Sequence, residues 1–170
     1  MPDLQGIYNK GRDCSKMIFK RTKMLPQHRH FVADSFTREF SKQAKIHRTI
    51  AYTKILALLQ APEWCFDVAV DPEDDDEIFG YIIYRLSGSV IAWVHVKRPY
   101  RGQSIARDLI AETVMLGAER TRITTPFLSP AVRSYAAWLG IDIDHAPYLP
   151  DEAMAKLLPG IIEDLEYLGS

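Results

Sequence analysis

Apolar and polar positions follow two periods along the chain, one of helices and one of strands, and where the period changes an element ends. Met17 to Lys23 is a short run of β-capable residues ending before Pro26, and it predicts a first strand. From Pro26 to about Lys42, Phe31, Val32, Phe36 and Phe40 recur at helical spacing, with Pro26 acceptable in a first turn. A second helical pattern runs from His47 to Gln60, where Ile50, Ile55, Leu56, Leu58 and Leu59 build one apolar side and Pro62 stops it. Three β-rich runs follow, Cys65 to Val70, Ile78 to Arg85 and Val90 to Val96, and they predict an antiparallel meander. Its first connection, Asp71 to Glu77, reads as a solvated hairpin loop and lacks the residue spacing of an EF-hand. Ser87-Gly88-Ser89 reads as the second hairpin turn.

Helical period returns from Ser104 to Glu119 through Ile105, Leu109, Ile110, Val114 and Met115, with Ser104 as the expected N-cap. Arg122 to Leu128 predicts a strand, Pro130 to Leu139 a helix closed by Gly140, and Ile141 to Asp144 a last strand. The order is therefore strand, two helices, three strands, helix, strand, helix, strand. Residues 1–16 are polar, and residues 150–168 are amphipathic, with Pro159-Gly160 predicting a kinked or divided terminal helix. At 170 residues, 47% apolar and 25% charged, the chain has the composition of one globular domain over 1–170. Twenty-one basic residues against 22 acidic ones leave no broad field for a polyanion, so no nucleic-acid partner is expected. Cys14 and Cys65 are too few for a disulfide framework or a zinc site, so no metal and a reducing, cytoplasmic compartment are expected, with no membrane span.

The most informative stretch is Val94 to Ile110, where an apolar strand feeds a basic, small-residue loop that opens directly into a helix. Free backbone N–H groups and the positive end of the helix would converge on one spot there, which suits a pyrophosphate. Lys97, Arg98 and Arg101 add charge, while Gly102, Ser104 and Ala106 keep bulk low. An ordinary surface turn with solvated arginines is the competing account of the same residues.

Loop and element order together resemble the GNAT (Gcn5-related N-acetyltransferase) family, whose acyl-CoA motif is Gln/Arg-x-x-Gly-x-Gly/Ala. Arg101-Gly102-Gln103-Ser104-Ile105-Ala106 matches at Arg101 and Ala106 and carries Ser104 where the middle glycine is usual. A positive φ or a very close phosphate would be harder for serine than for glycine. The resemblance, over about residues 17–145, implies an α/β domain with a mixed, mostly antiparallel twisted sheet, a central parallel pair, flanking helices and a C-terminal helical extension. It implies acetyl-CoA as co-substrate, transfer of acetyl to a small-molecule or protein amine, main-chain contacts from Val94 and Val96 to the pantetheine arm, and pyrophosphate contacts from Gln103, Ser104, Ile105 and Ala106. Asp71 to Tyr84, with Trp93 to Lys97, is also similar in style to GNAT-like proteins of tailed bacteriophages, which would put the chain in a host cytoplasm.

Acid and base groups depart from the family pattern. No Asp or Glu lies between Arg85 and Gln103, so His95 is the base candidate there, with Asp67 a substitute and a structural role as the alternative for the histidine. The position matching the family's leaving-group tyrosine is Ala136; Tyr135 beside it is the proton-donor candidate, with Tyr100 and Tyr148 as rivals. These departures leave a second account open, a catalytically degenerate scaffold that meets another protein or its own copy through the C-terminal helix. His28, Arg29 and His30 occupy adjacent helical positions unsuited to a metal pair, and Trp64, Trp93 and Trp138 lie on separate elements, which favours packing.

Overall fold

The computed structural model describes residues 17–85, 90–117, 121–127 and 129–146, so the polar N-terminal segment, Cys14, the Ser87–Ser89 turn, Tyr148 and the C-terminal helix lie outside the described residues. The elements are β1 (Lys20–Lys23), α1 (Arg29–Ala44), α2 (Arg48–Gln60), β2 (Trp64–Asp71), β3 (Asp74–Arg85), β4 (Val90–Val96), α3 (Ile105–Leu116), β5 (Arg122–Thr125), α4 (Pro130–Leu139) and β6 (Asp142–His145). Their order is the one that the hydrophobic periods predict. A 3₁₀ turn at Pro26–His28 precedes α1: buried His28 accepts the Leu25 N–H on Nδ1 and bonds the Asp75 carbonyl through Nε2, a structural role.

The strands form one mixed sheet in the order β1-β2-β3-β4-β5-β6, antiparallel from β1 through β4. Two neighbouring pairs are parallel, β4 with β5 and β5 with β6, where one central parallel pair is expected. The reason is that α4 acts as a crossover like α3, returning the chain to the same end of the sheet. Helices α1 and α2 cover one face, where Phe36 and Phe40 pack edge-on against Trp93 and meet Phe127. Helices α3 and α4 cover the other through Ile105, Leu109, Ile110, Val132 and Tyr135. Among the described residues no helix is long and apolar enough to cross a membrane.

The acidic run Asp71 to Glu77 is not a loop. Strand β3 begins at Asp74, leaving Pro72 and Glu73 as the turn. Alternation permits this, because Asp74 and Asp76 are exposed while Asp75 meets Lys20 at 2.9 Å and Glu77 faces Lys97 at 3.5 Å. Side chain Asp67, a substitute base by sequence, is buried in an ion cluster: Arg21 and Lys23 each donate to it at 2.8 Å, and the Tyr84 hydroxyl donates at 2.9 Å. Arg21 also donates to the Leu109 carbonyl and the Thr113 hydroxyl, so the cluster ties edge strand β1 to α3.

The centre of the sheet depends on one irregularity. Ile83 pairs with Trp93 and Tyr84 with Ile91, so Ala92 is an extra residue in β4. Ala92 and Trp93 both point towards α1, and beyond them the parity of the strand is inverted. Gly80 lies opposite Val96 with no room for a side chain: a Cβ there would run into the His95 carbonyl oxygen and come within 3.2 Å of Val96 Cα. Gly80→Ala is therefore expected to lower stability by about 1–3 kcal/mol, since backbone rather than a side chain must shift. Chemical denaturation checks this; an unchanged midpoint would contradict the close approach.

Candidate functional site

Strand β4 runs into a short 3₁₀ turn, Arg98–Tyr100, and a loop that opens α3. The loop is held from below: the Lys97 N–H donates to the Phe79 carbonyl at 2.8 Å, and the Tyr100 hydroxyl donates to Glu77 at 2.8 Å. Gly102 has φ +81° and Ser104 has φ +65°, so the chain turns left-handed at two positions separated by one residue. Ser104 precedes α3 as expected, but its hydroxyl makes no capping bond. An N-cap side chain reaches back to the helix from extended backbone, and the left-handed φ aims it elsewhere. Among the described residues no hydrogen bond reaches the amides of Gln103, Ser104, Ile105 or Ala106, so the helix start presents bare donors beside its positive end.

Strand β4 supplies the second part. The Lys97–Phe79 bond fixes the alternation of the antiparallel ladder, so the peptide groups of His95 and Trp93 are the ones directed at β3 for hydrogen bonding. The peptide groups of Val94 and Val96 then face the opposite edge. Strand β5 is the neighbour there, yet among the described residues it pairs with β4 at Val90–Thr124 alone. The strands diverge towards the loop and leave an open edge, and Arg101 reaches into the gap to donate from Nε to the Val96 carbonyl at 2.9 Å.

A cleft fills this divergence in two halves. One, about 540 Å³, is lined by Val96, Gly102, Ser104, Ile105, Arg107 and Tyr135 among others; the second, about 570 Å³, by Glu39, Lys42, Trp93, Val94, His95 and Ser129 among others. Val96, Arg101, Ala106 and Ala131 belong to both. Gln103, the remaining loop residue singled out by sequence, lines neither half. His95 and Tyr135 are thus in one cleft but in different halves of it.

Burial lowers the His95 imidazole to about 4, helped by Arg101, Arg38 and Lys97 and opposed by Glu39. Its ring packs 5.4 Å from Tyr81 and 6.1 Å from Phe31, facing α1 because of the Ala92 bulge. Tyr135 is buried on α4, and burial raises its hydroxyl, with Arg107 opposing, so it stays protonated at neutral pH. Ala136, at the position of the family tyrosine, is 1% exposed and points into the core. Glu39 is a carboxylate that the sequence did not single out. Burial alone would raise it, but the hydrogen bond from Arg38 and the charges of Lys42, His95 and Arg38 hold it below its ordinary value. It sits on α1, and no spacing relates it to β4; sheet packing brings it there. Among the described residues no group of three or more His, Cys, Asp or Glu side chains could hold a metal ion.

The model of the acetyltransferase (GNAT) family matches residues 29–141, which takes in α1 to α4 and the whole cleft. Among solved structures, a transcriptional regulator from Bacillus halodurans C-125 is 16% identical, with 76% of this chain and 96% of that one covered and a TM-score of 0.55. A ribosomal-protein-alanine N-acetyltransferase from Brucella melitensis biovar Abortus 2308 is 17% identical over 76% of this chain and 96% of that one, with a TM-score of 0.51. This chain spans 65% of a GNAT-family acetyltransferase from Staphylococcus aureus Mu50, at 16% identity, 58% coverage of its own length and a TM-score of 0.42. No curated protein matches it.

Two outcomes follow from the geometry. The folded His95 lies near 4 against an ordinary 6.5, so its contribution to stability is present above pH 6.5 and is lost as pH falls towards 4. The loss should reach about 3 kcal/mol, at 1.36 kcal/mol per unit. His95→Gln should flatten that part of the melting-temperature profile; a profile unchanged by the substitution would refute the buried, neutral histidine. Ser104→Gly should raise the melting temperature, because relief of a left-handed non-glycine residue is worth about 1 kcal/mol.

Proposed function

The chain belongs to the acetyltransferase (GNAT) family, and from that premise we propose that it transfers acetyl from acetyl-CoA to an amine by direct attack. The observation that carries this reading is the row of unbonded amides from Gln103 to Ala106, set at the end of a strand whose outer edge is open. A diphosphate accepts from those amides, with Arg101 adding charge, and the pantetheine arm lies along Val94 and Val96 as an added strand would. Arg101 then leaves the Val96 carbonyl for the phosphate and frees that acceptor for the arm. The thioester comes to rest where the two halves meet, beside Val96, Ala106 and Ala131.

The acceptor amine enters the half lined by Glu39, Lys42 and His95. Its lone pair attacks the thioester carbonyl carbon; the C–N bond forms, the C–S bond breaks, and the thiolate departs. The Val94 N–H, directed away from β3, is placed to stabilise the developing oxyanion. His95 takes the proton from the amine and Tyr135 gives one to the thiolate, so the two residues belong on opposite sides of the thioester and need not touch. With its imidazole near 4, His95 is neutral at pH 7 but weakly basic, and most of the rate would come from positioning.

A specific observation favours the second reading, a scaffold that keeps the fold without the turnover: Ala136 fills the family tyrosine position inside the core. Calorimetry with acetyl-CoA and turnover over a broad amine panel separate the two. Arg101→Ala should weaken binding about tenfold, the loss of one charge-assisted contact, and Ala106→Glu should abolish it. If turnover occurs, kcat/KM should rise with pH through about 4 as His95 loses its proton, and His95→Ala should remove that limb. Tight binding with no acetylated product from any amine would favour the scaffold, and no binding at all would end the donor reading.

A further inference from the structure

Glu39 and Lys42 stand three residues apart on α1, which sets them on one side of the helix, and both line the half of the cleft that holds His95. Among the described residues no ion pair joins them. Arg38 donates to Glu39 Oε1 at 3.2 Å, while no described residue bonds Glu39 Oε2 or the Lys42 ammonium. The positive start of α4 lies on the same half: Ser129 caps Val132, Pro130 has no N–H, and the Ala131 amide meets no acceptor among the described residues. Trp93, Val94, Pro130 and Ala131 add an apolar wall. Trp93 is buried, like Trp64; Trp138, also expected to pack, is instead 46% exposed on α4 and lines the other half.

Charge sorts the candidate acceptors. With Arg101 drawn to the donor's phosphate and His95 neutral, Glu39 and Lys42 are the charges left in this half. A polyamine would bring several ammonium groups to one carboxylate with a lysine beside it. A lysine side chain on a protein would leave Lys42 and the α4 start unmatched. A molecule with one ammonium, one carboxylate next to it and an apolar remainder meets each of these groups in turn. We infer that the acceptor is a free amino acid with an apolar side chain: Glu39 takes its ammonium, Lys42 and the start of α4 take its carboxylate, and its side chain lies against Trp93 and Pro130. This inference rests on the acetyl-transfer reading above and adds to it the class of the acceptor. The bound ammonium releases one proton to water, and the neutral amine forms the C–N bond as the C–S bond breaks. The second proton passes to His95 and Tyr135 protonates the thiolate, which leaves an N-acetyl amino acid and the coenzyme A thiol.

Calorimetry and turnover on the full chain with L-leucine, L-leucinamide and spermidine test it. Protein saturated with coenzyme A should bind L-leucine about tenfold or more tightly than L-leucinamide, the scale of one charge-assisted contact. With acetyl-CoA the same order should appear in kcat/KM, followed as released thiol. Lys42 is exposed, so its substitution leaves the core intact. Lys42→Gln should erase the difference between the two ligands, and Lys42→Glu should reverse it. Glu39→Gln should weaken both about tenfold. Equal affinity for L-leucine and L-leucinamide, no binding of L-leucine, faster acetylation of spermidine, or a leucine preference that survives Lys42→Gln overturns the amino-acid assignment and leaves the acetyl-transfer reading standing. Failure of acetyl-CoA itself to bind overturns the two together.

Discussion

The arrangement of this protein turns on one extra residue in β4. A two-residue side-chain period cannot put Ala92 and Trp93 on the same face, yet both pack towards α1, and the bulge that allows this inverts every position that follows. Val94 and Val96 consequently pack against α3 while His95 turns to α1. The local bend coincides with divergence from β5, which among the described residues pairs with β4 at a single position.

An open strand edge and a bare helix start are costly unless the surrounding structure holds them in place. Two devices do so on opposite sides. Glu77, at the inner end of the acidic run, takes the Tyr100 hydroxyl and lies near Lys97, and so anchors the loop to β3. Behind the helix, Arg21 spans from Asp67 to the Leu109 carbonyl and fixes α3 to the edge of the sheet. Gly80 admits the β4 backbone at a distance that no side chain would permit. The left-handed Ser104 is retained within this frame, at a position where glycine would be unstrained.

The cleft separates its electrostatic tasks. Its loop half combines unbonded amides and a helix end, which carry positive charge without titrating. Its other half holds groups that do titrate, and their neighbours pull them in opposite directions: His95 loses basicity to burial and Arg101, while Glu39 is kept ionised by Arg38 and Lys42. Neither is a strong base, which is consistent with a chemistry governed by placement rather than by proton abstraction.

Element order was readable from the sequence because side-chain periodicity reports which faces are buried, and the one break in β4, at Ala92, changes which face a residue takes without ending the strand. The acidic run misled, since charge suggests a loop, whereas alternation lets a strand carry acids on its exposed side while basic neighbours meet the others. The strand-to-helix loop through Arg101, Gly102 and Ala106 was legible because strand, small residues and helix are contiguous in the chain. Glu39 was not, because α1 reaches the cleft only when it packs on the sheet, and nothing local to Glu39 records that. The placement of His95 was equally hidden, since the residue that turns it, Ala92, is an alanine like any other until its partners across the ladder are known. The chain itself thus determined the elements and the turn from β4 into α3, which depend on neighbours in sequence; the open edge, the buried histidine and the two-sided cleft depend on register and packing between distant segments, and only the tertiary structure could decide them.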